Sequence, residues 1–177
     1  MRTALKLFAH SGFEATSIDA IAEHAGIPIG SFYQHFRSKR QLLLVLMNEF
    51  LQKLAAIDMQ PKGGTLHAAI ESVLRAGLAT DLAYAGAYRA WREAMLSDRE
   101  LATLDGKIRG WTTTRLRTVF AQLRELPLAR RDLDVALFSA LMDRLFWDLL
   151  GSRLVVRPGT IAALAHIIEH SMLHDSR

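Results

Sequence analysis

The sequence predicts an all-α protein with about nine helices. Apolar residues recur every three or four positions along almost the whole chain, and no stretch alternates apolar and polar residues as a half-buried strand does. The four prolines and most of the 11 glycines fall between these periodic segments, where they start or end helices. A chain of 177 residues, 50% of them hydrophobic, is long enough to bury the core that such helices need.

Two short helices open the chain. The first carries an apolar stripe formed by Leu5, Phe8 and Ala9. Gly12 ends this helix, and Thr16 begins the next one, because Asp19 follows three residues later in a variant of the capping box. Such a box satisfies the first free amides of a helix. The second helix then ends at Gly26.

A third short helix and a long fourth one follow. Pro28 suits the first turn of the third helix, which the apolar spacing extends to His35. Ser38 and Gln41 form another capping box, and they open a helix that runs to about Ala56.

From Thr65 onward the predicted helices are longer. Ser97 and Glu100 cap one that runs to about Leu126, with Gly106 and Gly110 as points of a bend or break. The last two predicted helices are about 132–150 and 158–174, and the first of them is apolar on two faces. One face consists of Leu133, Ala136, Leu137, Ala140 and Leu141, and the other of Val135, Phe138, Met142, Phe146 and Leu149. A helix buried on both sides needs two neighbours, so we expect a homodimer through these last two helices.

The second half also contains all three tryptophans, which suggests an apolar pocket for a small molecule. At helical spacing, however, each aromatic residue is more often ordinary core. Asp143 and Arg144 lie within the apolar helix, where they pair locally, bridge subunits or orient a polar ligand. The candidate ligand-binding residues are Trp91, Trp111, Phe120, Phe138, Met142, Phe146 and Trp147.

The spacing of the second and third helices is that of a helix-turn-helix. They are joined by Ala25-Gly26-Ile27, and the helix Pro28–His35 would then enter the major groove of DNA with its N-terminal side chains at base edges. Spacing alone is a moderate indication, because many helix pairs share a glycine turn.

An ordered set of residues makes this indication specific. Its members are Ala4, Leu7-Phe8, Gly12-Phe13, Thr16-Ser17, Ile21-Ala22, Ala25-Gly26-Ile27, Gly30, Phe32-Tyr33, His35-Phe36, Lys39 and Leu42. By this set the sequence resembles the TetR-type (tetracycline-repressor-like) transcriptional regulators. The resemblance covers about the first 47 residues, and the other 130 match only in helical character and length. It implies a DNA-binding domain at 1–47 and a ligand-binding and dimerisation domain at 48–177.

The resemblance implies a DNA-binding surface with distinct roles for its members. Hydroxyls and free amides at the start of the second helix favour a phosphate, although Thr16 is equally well explained as a helix cap. Ser31 and Gln34 would read bases. Tyr33 and His35 would reach phosphates, with a base as an alternative contact for Tyr33. Lys39, which opens the next helix, would be another phosphate contact. The full predicted surface is Thr16, Ser17, Ile29, Gly30, Ser31, Tyr33, Gln34, His35 and Lys39.

Two departures from the family pattern concern phosphate contacts. Pro28 and Ile29 stand where the family commonly has a polar and a basic residue, so one phosphate contact is lost while Ile29 packs on a thymine methyl group. Arg2 is the one basic residue ahead of Leu5 in the sequence, so we expect either that the native chain starts further upstream or that DNA binding is weakened.

The function implied by the resemblance is a cytoplasmic, ligand-responsive transcription regulator, a repressor in the first instance. It would bind a palindromic, double-stranded DNA operator as a homodimer and be released by an unknown small molecule, without a cofactor. The alternative is a helical small-molecule-binding protein with little DNA affinity, because its N-terminal arm is short.

Enzymatic and metal chemistry have little support in the sequence. The chain has no cysteine, which excludes thiolate nucleophiles and Cys-ligated metals, and no membrane-spanning apolar run. His166, Glu169 and His170 match the pattern H-x-x-E-H, and His174 extends the ladder, but too little chain follows for a protease cleft. We therefore expect no enzyme and no metal site, and interpret these histidines as a polar stripe on a dimer-forming helix.

The net charge of +4 is weaker support for DNA binding than it first looks. Residues 1–47 contain five basic and three acidic side chains, whereas residues 107–131 contain seven basic and one acidic. The basic surplus therefore lies on the presumed regulatory half, as a solvated helix face or as a site for an anionic ligand or partner.

Overall fold

A computed structural model describes residues 1–60, 65–126, 129–152, 157 and 159–173. This part of the chain contains eight helices and no strand, which confirms the all-α prediction and comes close to the expected count. The helices are α1 (Arg2–Ser11), α2 (Ile18–Ala25), α3 (Ile29–His35), α4 (Lys39–Ala56), α5 (Leu66–Ala94), α6 (Arg99–Arg124), α7 (Val135–Leu150) and α8 (Thr160–Met172).

The first two helices differ in detail from the prediction. In α1 the buried residues are Ala4 and Phe8, whereas Ala9 is exposed. The cap of α2 is Ser17 and not Thr16, because the Ser17 hydroxyl accepts a hydrogen bond from the amide of Ala20 at 3.0 Å. Thr16 precedes the cap by one residue and is buried.

The capping box of α4 forms as predicted. The Ser38 hydroxyl accepts from the Gln41 amide at 3.1 Å, and the Gln41 side chain accepts from the backbone amide of Arg37 at 2.6 Å. This reciprocal pair fixes the entry into α4 directly after α3.

The later helices also begin at slightly different residues. The residue that caps α6 is Asp98, and not the predicted Ser97. Its carboxylate accepts hydrogen bonds from the backbone amides of Glu100 at 3.0 Å and Leu101 at 3.1 Å. Helix α6 continues without a break through both of its glycines. Helix α7 begins later than expected, because Asp134 caps it. For α8, the predicted end residues Pro158 and His174 lie outside the described residues.

The chain forms two compact units. The first consists of Met1–Ala56 and Ala83–Asp105, and the second of Ile57–Leu82 and Gly106–Arg177. Helices α5 and α6 therefore each contribute residues to both units. The predicted domains 1–47 and 48–177 stay a prediction, because these units are defined by compactness and not by function.

Helix α5 lies unusually close to α1 within the first unit. A Cβ atom added to Gly86 would lie 2.0 Å from the carbonyl oxygen of Leu5, so only glycine allows this approach. Arg89, nearly one turn further along α5, donates to the carbonyl oxygen of Ala9 at 2.6 Å. The first unit is thus built around a backbone-to-backbone contact between α1 and α5.

In the second unit, α7 shows the two faces that the sequence predicts. Phe138 and Met142 belong to the buried core, where the Phe138 ring lies 4.9 Å from that of Phe120. The opposite face is open to solvent, with Leu137 58% and Leu141 57% exposed. No helix in the described part of the chain is both long and apolar enough to cross a membrane.

The α1–α5 contact can be tested with two glycines of the same helix. We expect Gly86→Ala to destabilise the protein by about 1–3 kcal/mol, because the new methyl group overlaps backbone. Gly77→Ala is the control: nothing lies within 4 Å of its Cβ position, so alanine should raise stability by about 0.5–1 kcal/mol. Urea unfolding measures both, and equal effects would contradict the close approach.

Candidate nucleic-acid interface

The turn between α2 and α3 has the geometry of a helix-turn-helix. Gly26 adopts the left-handed conformation, with φ 66°, which glycine accommodates without strain. Its amide bonds to the carbonyl of Glu23, and the Ile27 amide bonds to the carbonyl of Ala22 at 3.1 Å. These two bonds end α2 in a Schellman-type cap and redirect the chain into α3.

Helix α3 buries a single residue and exposes the others to different degrees. Phe32 is buried, and its ring centroid lies 5.6 Å from that of Tyr33 and 5.4 Å from that of Phe36. Ile29 is 43% and Tyr33 52% exposed. Gly30, Gln34 and His35 are also exposed, and Ser31 is partly so. The predicted base-reading and phosphate-contacting side chains of α3 are therefore accessible to a partner.

The two residues predicted to bind phosphate at the start of α2 differ in exposure. The Thr16 hydroxyl donates to the carbonyl oxygen of Gly12 at 2.6 Å in a buried position. Ser17 is exposed, although its hydroxyl oxygen already caps α2. Of this pair, only Ser17 presents its side chain to solvent, and DNA contact by either stays a prediction.

Lys39 is used within the protein. Its ammonium donates to the carbonyl oxygens of Phe13, at 2.5 Å, and Glu14, at 3.2 Å. It also lies 4.4 Å from the centroid of the Phe13 ring. The side chain that the resemblance assigns to a phosphate therefore holds the segment between α1 and α2.

Glu93, which the sequence analysis did not single out, binds the same segment through its amides. The Glu93 carboxylate accepts from the backbone amides of Phe13 at 2.6 Å and Glu14 at 3.0 Å. No local pattern indicates this role, because the partners lie 79 and 80 positions away in the chain.

An ion pair connects the start of α4 to the start of α6. Arg40 lies 2.6 Å from a carboxylate oxygen of Asp98 and 2.6 Å from one of Glu100. The hydrogen bond with Asp98 raises the pKa of Arg40, and the same bond lowers the pKa of Asp98. Arg40 is therefore committed to protein carboxylates.

Several of the seven basic residues of 107–131 bind groups of the second unit itself. Arg115 donates to the carbonyl oxygen of Ile57 at 3.1 Å and lies over the ring of Trp111, and burial lowers the pKa of its guanidinium. Arg130 binds Asp132, and Arg131 binds Glu125. Whether the surplus forms a solvated helix face or a site for an anionic ligand or partner stays a prediction.

The candidate ligand-binding residues are divided between the units. Trp91 lies in the first unit, where it is buried and donates to Asp105 at 3.0 Å. The other six lie in the second, where Phe120, Phe138, Met142 and Trp147 are buried. Phe146 is partly buried, and Trp111 is 37% exposed. Ligand binding by these residues stays a prediction.

Two carboxylates in the second unit have raised pKa values. Burial raises the pKa of Asp143, against hydrogen bonds from Thr112 and Thr113. Its neighbour Arg144 faces solvent, 3.9 Å from Asp148. Burial alone raises the pKa of Asp81, on α5, to about 7. The sequence could have indicated Asp81 by its place among the apolar residues of α5.

The glutamate between the histidines of α8 has a partner on another helix. His166 and His170 lie with ring centroids 3.8 Å apart on an exposed face. Glu169 instead binds His67 of α5 at 2.8 Å, and this bond raises the pKa of His67. Within the described residues no group of three metal-binding side chains occurs, and His174 lies outside them.

Residues 1–46 match the family model described as bacterial regulatory proteins, tetR family. An uncharacterized HTH-type transcriptional regulator, YerO of Bacillus subtilis, is 52% identical over 44 residues, which are 25% of this chain and 15% of that protein. The HTH-type transcriptional repressor KstR2 of Mycolicibacterium smegmatis is 41% identical over 54 residues, 30% of this chain and 26% of that protein. The match thus covers about a quarter or less of these relatives' length.

Solved structures match over nearly the whole chain. The TetR-family regulator PfmR of Thermus thermophilus has a TM-score of 0.73 at 22% identity, with 99% of this chain and 98% of that one covered. The ketosteroid transcriptional regulator KstR2 of Mycobacterium tuberculosis has a TM-score of 0.60 at 19% identity, with 98% and 92% covered. At these identities the likeness shows the fold.

The raised pKa of Asp81 predicts how stability depends on pH. The folded protein binds this proton more tightly than the unfolded chain, so Asp81 lowers stability progressively as the pH rises from about 4 to about 7. We expect Asp81→Asn to raise the free energy of unfolding by about 1–3 kcal/mol at pH 8, and the gain to vanish near pH 4.

Urea unfolding at both pH values measures this gain. Asp148→Asn, an exposed carboxylate on α7, is the control and should change stability little at either pH. A gain at Asp81 that is the same at pH 4 and pH 8 would contradict the raised pKa.

Proposed function

We propose that the chain is a TetR-type transcription regulator that binds DNA through α3, because its residues 1–46 match that family's model and its fold is that of solved TetR-family structures. The observation that carries the proposal is the exposure of α3. A helix that follows a glycine turn and buries only Phe32 presents the rest of its surface to a partner. A compact helix of this kind fits the major groove.

The chemistry of the exposed side chains suits DNA. Gln34 offers an amide for a base edge, and Ser31 offers a hydroxyl. Ile29, 43% exposed, has the apolar surface that packs on a thymine methyl group. Tyr33 and His35 would reach phosphates or, for Tyr33, a base. The exposed Ser17, at the N-terminus of α2, adds a position where the helix dipole favours a phosphate.

We propose further that the regulator acts as a homodimer through α7 and α8. The exposed face of α7 carries Leu137 and Leu141, and α8 carries Ile167, 47% exposed. Large apolar side chains grouped on two helices favour burial against a second copy of the same surface. A two-fold dimer would place two α3 helices on a palindromic operator, with half-sites about 34–36 Å apart.

The regulator is proposed to be a repressor that a small molecule releases from DNA. The relative KstR2 is named a repressor, and proteins of the same fold are named for a ketosteroid and for gamma-butyrolactone. A ligand that binds the DNA-incompetent form more tightly lowers DNA affinity, and by linkage the operator lowers ligand affinity equally, typically by about 1–3 kcal/mol. A thermal-shift screen of small molecules would identify the ligand class.

One observation favours the alternative of a small-molecule-binding protein with weak DNA affinity. Lys39 and Thr16, two predicted phosphate contacts, are engaged inside the protein. Selection of DNA fragments from a randomised library by the purified chain separates the two functions. Failure to enrich any sequence at low salt would contradict the regulator and support the alternative.

For the enriched fragment, we expect Tyr33→Ala to weaken binding by roughly 1–3 kcal/mol, because an exposed contact is removed. Tyr33→Phe keeps the ring that lies against Phe32 and so tests the hydroxyl alone, and circular dichroism checks that each variant stays folded. Leu96→Ala is the control, since Leu96 is 84% exposed in the same unit and belongs to no predicted contact. Gel shift measures all three, and unchanged affinity for Tyr33→Ala would contradict its assignment.

The dimer makes a separate prediction. We expect Leu141→Glu to convert a dimer into a folded monomer, because a charge on the exposed face of α7 would be buried without a partner in the interface. Sedimentation velocity measures the mass, and circular dichroism the helix content. Leu96→Glu places the same charge on another exposed leucine and should leave the dimer intact. A monomeric wild-type chain would refute the proposed interface.

A further inference from the structure

The segment 12–16, which we term the α1–α2 turn, is held from two sides. The Glu93 carboxylate receives the consecutive amides of Phe13 and Glu14. The Lys39 ammonium donates to the carbonyl oxygens of the same two residues. Hydrogen bonds to charged groups are shorter and stronger than neutral ones, so four such bonds on two residues form a rigid clamp.

The backbone of the turn is adapted to this clamp. Gly12 has φ 85° and ψ −177°, a conformation that L side chains rarely adopt. A Cβ atom at Gly12 would lie 2.3 Å from the Glu93 carboxylate oxygen that receives the Phe13 amide. Glycine adopts this conformation without the strain that a Cβ atom would cause. Glycine at position 12 and the carboxylate at position 93 therefore belong to one arrangement.

The clamp ends where α2 begins. Thr16, tied back to the Gly12 carbonyl, is followed at once by Ser17, the cap of α2. Because α2 has only eight residues, the direction of its axis depends on how this entry point is held. A shift of the turn would move the N-terminus of α2, and α3 behind it, together.

We infer that Glu93 is a positioning residue for DNA binding. It acts together with Lys39, and the two side chains hold the α1–α2 turn in place. The inference rests on the proposed DNA-binding function. It gives Lys39 a different role from the phosphate contact implied by the family resemblance. It also assigns a role in DNA binding to a residue of α5, outside the helix-turn-helix sequence.

The direction of the change in DNA affinity separates a positioning role of Glu93 from the general effect of its negative charge. Removing an acidic side chain from a DNA-binding unit weakens repulsion of phosphates, so it should by itself raise DNA affinity. Removing Glu93 should instead lower it. Glu23, exposed on α2, is the matched control, because its side chain makes no hydrogen bond or ion pair within the described residues.

The experiment compares the wild-type chain, Glu93→Gln and Glu23→Gln on the enriched DNA fragment. We expect Glu93→Gln to weaken binding at least about fivefold, because an amide can accept only one of the two backbone bonds. Glu23→Gln should bind equally well or more tightly. If Glu93→Gln binds as tightly as Glu23→Gln, the inference is overturned.

Lys39→Met supplies a second arm. If Lys39 contacts a phosphate, its loss lowers the magnitude of the slope of log K against log salt by about 1. If Lys39 only holds the turn, its loss lowers the DNA affinity but leaves that slope unchanged. We expect Lys39→Met to have the slope of the wild type. A slope reduced by about 1 would restore Lys39 as a phosphate contact and contradict its place in the clamp.

Amide hydrogen exchange tests the clamp without DNA. In Glu93→Ala, exchange at Phe13 and Glu14 should accelerate by at least about tenfold, while buried Leu43 and Leu46 of α4 report that the unit stays folded. Unchanged exchange at the two turn amides would overturn the inference. If the wild type binds no DNA but exchange responds, the proposed function fails and the clamp stands as a structural feature.

Discussion

The contact of α5 with α1 and the turn after it is the constraint on which the first unit depends. Gly86, Arg89 and Glu93 stand at helical spacing on one side of α5, and all three meet backbone atoms of residues 5–14. Backbone amides and carbonyls near helix ends need hydrogen-bond partners, and here side chains along α5 supply several of them. Because α2 and α3 follow this segment, the position of the exposed α3 surface derives from a helix about 80 residues away.

Residues 1–47 have few cations, and the structure uses two of them within the protein. Residues 1–47 contain only five basic side chains. Lys39 is bound to carbonyl oxygens and Arg40 to two carboxylates, so both serve the architecture. DNA recognition would then rest on polar and aromatic side chains of α3 and on the start of α2, where backbone amides and the helix dipole attract phosphate without a net charge.

The second unit combines an apolar core with an apolar patch on the exposed face of α7. Phe120, Phe138 and Met142 fill its interior, and Asp143 is satisfied there by hydroxyl donors. The same helix, α7, leaves Leu137 and Leu141 in solvent. Helix α7 thus has two apolar faces. The chain itself buries one of them, and the other is available to a second copy.

The sequence by itself determined the helical class, the helix-turn-helix and the two-faced character of α7. These features follow from local periodicity, from capping residues such as Ser38 and Gln41, and from the conformational freedom of Gly26. The family resemblance also predicted which residues of α3 contact DNA, and the structure shows that most of them are exposed.

Only the tertiary structure decided which hydroxyl caps α2, that Lys39 faces backbone carbonyls, and that Glu93 reaches the α1–α2 turn. Trp91 was likewise assigned by sequence to a group whose other members lie in a different unit. The physical reason is that a charged side chain binds the groups that are close to it in space, whatever their distance along the sequence. A carboxylate 80 positions away can satisfy an amide better than any neighbour in sequence, and no local pattern records that choice.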